Sequence, residues 1–242
     1  MLAYIHFGYG YPGFYFDWTY LLIIAGVLLS LWASASVKSA FRKFSSVPTI
    51  RGVTGAAAAE AILRQSGIYD VRVIHIRGNL NDHYDPRNKT LALSDPVYGS
   101  TSVAAVSVAA HECGHAIQHA KNYLPLKIRG SLVPVANFGS AISWPIILVG
   151  IFMGFNQTLI TVGIVLFFAV VLFHLVTLPV EFNASRRGLQ ILSANGMLMG
   201  DENLGARKVL RAAALTYVAS AAGMILQFLR LLILTRGRRR DD

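Results

Sequence analysis

Four stretches of the chain, at about 18–37, 132–153, 159–180 and 213–234, are almost uninterrupted apolar sequence. A helix rises about 1.5 Å per residue, so about 20 such residues match a hydrocarbon layer ~30 Å thick. Helices that are apolar all round need a lipid surround or a very large core. The remaining sequence is too short to supply that core. The chain is 54% hydrophobic and only 14% charged, against roughly 25% charged in an average soluble domain. The pattern therefore specifies a mainly α membrane protein with about four transmembrane helices. What remains suffices for one small extramembrane domain.

The net charge of +10 would suggest a nucleic-acid partner in a soluble chain. Here no nucleic-acid-binding motif accompanies it, and the partner it implies is the lipid bilayer. Lys38, Arg42 and Lys43 follow the first run, Lys127 and Arg129 precede the central pair of runs, and Arg186 and Arg187 follow that pair. Residues 1–17 and 154–157 contain no Lys or Arg. This bias predicts that segments 38–130 and 181–212 face the cytoplasm, although four simple spans would place the Arg-rich end at 236–240 on the opposite side. The aromatic residues of 1–20 predict a collar at the membrane interface. With one cysteine, Cys113, a disulfide framework is excluded.

Between the first and second runs the composition becomes that of a soluble domain. Residues 53–67 predict an amphipathic helix, with Thr54 as its cap and Gly67 as its stop. The β-branched run 71–76 predicts a strand, 79–86 a loop and 90–94 a second short strand. Residues 100–122 are alanine-rich and predict a helix. The two central runs, joined by the short turn 154–157, predict a helical hairpin, so residues 130 and 181 emerge on one face. The expected organisation is an N-terminal segment and first span over 1–37, an extramembrane domain over 38–130, the hairpin over 131–180, a polar helical segment over 181–212, and the last span and tail over 213–242.

The predicted helix 100–122 contains His111-Glu112-Cys113-Gly114-His115, an HExxH sequence. Four residues turn a helix by about 400°, which places both histidines on one face, one turn apart. That spacing suits two imidazole ligands of one Zn²⁺. Glu112 is offset by about 100°, beside the metal face, where a carboxylate can take a proton from a water activated by the metal. Two histidines and a glutamate on an otherwise uncharged helix would be costly to bury without such a partner. A catalytic zinc needs a third protein ligand. His119 continues the stripe but lies two turns, about 12 Å, from His111, and reads as a supporting or structural residue. Glu181, at the membrane-exit end of the hairpin and on the same face as the HExxH helix, is the better candidate.

The chain resembles the bacterial membrane zinc metallopeptidases of the YugP type, relatives of the HtpX-like gluzincins. The resemblance is carried by Asp82-His83-Tyr84-Asp85-Pro86, the Leu91–Ser94 strand, residues 109–119, residues 179–188 and Ala214-Leu215-Thr216-Tyr217-Val218. It implies a small α+β zincin-like catalytic domain and a zinc-dependent endopeptidase in the bacterial cytoplasmic membrane, acting on protein or peptide substrates. One catalytic Zn²⁺ would be held by His111, His115 and Glu181, with Glu112 as general base. The wider gluzincins usually carry an aspartate four residues after the third ligand, orienting a zinc histidine. Here that position is Ser185.

Tyr217, the only tyrosine after Tyr123, is a candidate oxyanion donor and equally an interfacial anchor. His83, Tyr84 and Asp85 read as an Asx-type turn before Pro86 or as cleft residues. Cys113 is expected to point away from the metal face. The 90–94 strand is expected to offer an edge to an extended substrate. Two rival functions remain: a site-2-type intramembrane metalloprotease, with its HExxH inside a span, and a non-catalytic membrane scaffold.

Overall fold

A computed structural model describes residues 17–237, with side chains through 235. The N-terminal aromatic segment through residue 16 and the arginines at 238–240 lie outside the described residues. In chain order the elements are α1 (Tyr20–Ser45), α2 (Gly55–Gln65), β1 (Arg72–Ile76), β2 (His83–Asp85), β3 (Thr90–Ser94), α3 (Asp95–Tyr98), α4 (Val103–Ala120), α5 (Leu124–Phe152), α6 (Gln157–Ala194) and α7 (Asp201–Gly237). The protein is mainly α, with one small three-stranded sheet. Among the described residues, α1, α5, α6 and α7 are long and apolar enough to cross a membrane. On α1 the side chains of Leu21, Ile24, Leu28 and Leu31 are exposed, as suits a lipid-facing surface.

The chain divides into two compact units, and the four long helices contribute to both. One unit holds 17–32, 133–174 and 219–237 of the described residues. Its helices approach closely at small residues. A Cβ on Gly139 would meet the Leu166 carbonyl oxygen at 2.6 Å, and one on Gly163 would meet the Ile147 side chain at 2.4 Å. Phe167 and Phe228 stack there with ring centroids 6.4 Å apart.

The other unit holds 33–132 and 175–218. Its core is built on α2, β3 and α4, around Ile62, Leu91, Leu93, Val103 and Val106, all fully buried. The sequence signals for α2 act as expected: the Thr54 hydroxyl accepts from the Ala57 N–H at 3.1 Å, and Gly67 takes a φ of +73° beyond the helix end. Ser102 caps α4 in the same way, accepting from Ala105 N–H at 3.2 Å.

Two expectations are corrected in the sheet. First, 79–86 is not wholly loop: His83–Asp85 form β2. A three-residue strand is too short to show alternation, so only its neighbour reveals it. The turn chemistry is also present, because Asp85 Oδ1 accepts from Arg87 N–H at 2.8 Å. Second, β3 offers no free edge. The strand order is β1-β3-β2, with β1 parallel to β3 from Thr90 to Ser94 and β2 antiparallel from Thr90 to Ala92. Past the end of β2 the Asp82 carboxylate accepts from Ser94 N–H at 2.7 Å and from its hydroxyl at 2.9 Å. All five β3 residues are buried, so Thr90–Ser94 is the centre of the sheet and cannot take an added strand.

Candidate metal centre

The HExxH sequence lies within α4, whose other faces are committed to the core. Cys113 is fully buried and directs its thiol to the Ala59 carbonyl on α2, 3.6 Å away. His111 and His115, one turn apart, turn the opposite way, with ring centroids 4.8 Å apart.

What faces them is α6. The apolar run ending at Val180 needs only the first part of this helix. The 14 residues of Glu181–Ala194 carry the helix on for about 20 Å past that run. Here α4 and α6 cross at van der Waals contact of their backbones. A Cβ on Gly114 would lie 2.3 Å from the Ala184 carbonyl oxygen, and one on Gly188 would lie 2.6 Å from that of Ala110. The glycine of the HExxH sequence and the glycine seven residues after Glu181 therefore have one physical role: each admits the other helix.

That crossing delivers Glu181 to the two histidines. Its Oε2 lies 3.2 Å from His111 Nε2 and 3.5 Å from His115 Nε2. One ligand atom from each of the three residues falls within 4.8 Å of the other two. Glu181 is 2% exposed, and its Oε2 is buried without a well-formed hydrogen bond. Zinc bonds of about 2.1 Å at tetrahedral angles separate ligand atoms by about 3.4 Å. An orphaned carboxylate oxygen at that spacing from two imidazole nitrogens is a donor set that fits zinc.

The far sides of these residues are also held. His111 Nδ1 is 3.0 Å from the Ser185 hydroxyl. His115 Nδ1 is 3.1 Å from Gln118 Oε1. With a proton on each Nδ1, both rings donate outward and present the Nε2 lone pair inward. Gln118 is itself pinned, donating to the Val180 carbonyl at 2.7 Å and to Asn183 Oδ1 at 3.1 Å. Arg129 Nη1 lies 3.5 Å from the other carboxylate oxygen of Glu181. Burial works to lower the pKa of His115. The adjacent Glu181 carboxylate, the charge of Glu112 and the Gln118 contact outweigh this and leave the pKa raised.

Glu112 is buried and lines a cavity of about 270 Å³ with His111, Tyr217, Asp82 and Leu80. Tyr217 lines the same cavity as His111 and Glu112, so this tyrosine sits at the site rather than facing lipid alone. His119 is exposed and pairs with the Tyr84 hydroxyl at 2.9 Å; it is not among the converging ligand atoms.

Sequence reasoning missed Gln118 and the contact of Arg129. Gln118 stands three residues after His115, one turn along the same face, and helical spacing could have found it. Arg129 and Asp82 carried no such signal, because each reaches the site through the fold.

A family model described as "Putative neutral zinc metallopeptidase" matches residues 19–236. The chain is also 48% identical over 218 residues to the "Putative membrane protease YugP" of Bacillus subtilis (strain 168), covering 90% of this chain and 96% of that protein. No solved structure matches the chain.

Proposed function

The chain belongs to this neutral zinc metallopeptidase family, and from that premise we propose that it is a membrane-embedded, zinc-dependent endopeptidase of the gluzincin type. It hydrolyses peptide bonds of membrane or membrane-proximal proteins. The observation that carries the reading is the buried, unsatisfied Oε2 of Glu181 facing His111 Nε2 and His115 Nε2. Arg129 reaches only the other oxygen, so Oε2 between two neutral imidazoles is expensive unless a further cation completes it.

His111, His115 and Glu181 hold one Zn²⁺, which when bound supplies the Lewis acidity that activates water and polarises a carbonyl. Glu112 accepts the proton of the attacking water and returns it to the leaving amine. Tyr217 donates to the oxyanion that develops on the scissile carbonyl. Ser185 and Gln118 hold the two imidazoles in the required tautomer, and Arg129 anchors the free oxygen of Glu181. The site-2-type reading has less support, because α4 is a core helix and is not among the helices apolar enough to span.

The test is metal content and peptide turnover of purified variants. Glu112→Gln keeps size and polarity but removes basicity, so zinc stays bound while turnover falls about 10²–10⁴-fold. Glu181→Ala, His111→Ala and His115→Ala lose both metal and activity. Full zinc occupancy in Glu181→Ala overturns the ligand assignment.

A further inference from the structure

A second, larger cavity opens between the polar halves of α6 and α7. It is a groove of about 1040 Å³, and its walls include Phe182, Arg186, Arg207, Arg211, Leu215 and Val218. Arg186, Arg207 and Arg211 are all exposed, and no described carboxylate lies within ion-pair distance of any of them. Arg207 and Arg211 stand one turn apart on α7 and line the groove together with Arg186 of α6. Such a concentration of unpaired positive charge selects for an anion with several acceptor oxygens.

The groove also has an apolar lining at the membrane boundary. Phe182, Leu215 and Val218 line the same groove as the three arginines. The apolar runs end near 180 on α6 and begin near 213 on α7. The arginine positions thus lie about 3–9 Å of helix rise outside those limits, the depth of headgroups. Phe182 lies about 3 Å outside the α6 limit, and Leu215 and Val218 lie inside the α7 limit, at the start of the acyl region. Phe182 is 46% exposed.

From this juxtaposition we infer that the α6–α7 groove is a binding site for an anionic phospholipid, its phosphate held by Arg186, Arg207 and Arg211 and its acyl chains lying against Phe182, Leu215 and Val218. The groove shares Ser185 with the metal centre, but the inference does not depend on peptidase activity.

The experiment counts bound lipid on the full chain in mixed micelles by native mass spectrometry, with phosphatidylglycerol set against phosphatidylcholine. Wild type retains phosphatidylglycerol in preference by on the order of 100-fold, about fivefold for each arginine near the surface. The triple variant R186Q/R207Q/R211Q loses that preference to within about twofold, whereas the triple lysine replacement at the same positions keeps most of it. K38Q/R42Q/K43Q, which removes the basic cluster at the end of α1, leaves it unchanged. Equal preference in R186Q/R207Q/R211Q overturns the site. Displacement by inorganic phosphate at the concentration of the lipid itself would mean an anion site with no role for acyl chains, and displacement by a soluble acidic peptide at that concentration would mean a peptide groove. Either outcome overturns the lipid assignment.

Discussion

At the scale of single residues, Ser185 and Gln118 carry the most information. In the proposed centre each takes the outward proton of one histidine, at 3.0 and 3.1 Å, and neither holds a full negative charge. Neutral acceptors orient the rings without adding charge to a site that already contains Glu112 and Glu181. Ser185→Ala and Gln118→Ala are therefore expected to weaken zinc by about 10–100-fold each, with the fold intact. Ser185→Asp, which offers His111 a charged acceptor in place of the hydroxyl, is expected to bind zinc at least as tightly as wild type. Competition with a chromophoric chelator measures all three; unchanged affinity in both alanine variants would deny these residues an orienting role. Cys113 makes the opposite case. Burial, reinforced by the nearby Glu112 charge, pushes its thiol well above the ordinary cysteine range. Because the thiolate is the reactive form, maleimide is expected to label the protein only on denaturation, and rapid labelling of the folded chain would contradict that packing.

At the scale of elements, the α4–α6 crossing decides whether a site exists. A methyl group on Gly114 cannot fit against the Ala184 carbonyl 2.3 Å away, so the helices must part. In the fold this costs about 1–3 kcal/mol of overpacking strain. At the centre it moves Glu181 away from both imidazoles. Gly114→Ala is expected to bind zinc far more weakly than wild type while its far-UV helical signal stays the same. Thermal melting alongside metal analysis separates the two effects, and normal zinc occupancy in the folded variant would show the crossing to be more tolerant than its geometry implies. The same element-scale view explains the sheet. The run at 90–94 is apolar on both faces because β3 is central, with strands on either side and helices packed over it. A half-exposed edge strand would alternate.

At the scale of the whole molecule, we propose from the basic residues at 38–43, 127–129 and 186–187 that the HExxH segment faces the cytoplasm, the side that lysine and arginine mark. Because Cys113 is buried, single cysteines introduced at Lys43 and Gly154 can be labelled against a low background. A membrane-impermeant reagent applied from outside is expected to reach position 154 and spare position 43. Labelling of 43 from outside reverses the orientation.

The sequence by itself determined what depends on near neighbours along the chain. Runs of about 20 apolar residues can only be satisfied by lipid-spanning helices. Four-residue spacing puts His111 and His115 on one face, and Thr54 and Gly67 bound a helix through local hydrogen bonding and a positive φ. Only the tertiary structure decided what joins residues far apart in the chain. Glu181 meets His111 seventy positions away because Gly114 and Gly188 let two backbones touch, Arg129 reaches Glu181 from a third helix, and Asp82 closes the end of β3. These contacts depend on how helices cross and strands pair. No local pattern encodes them, because the contacting side chains come from segments whose own periodicity reports only that they are helix or strand.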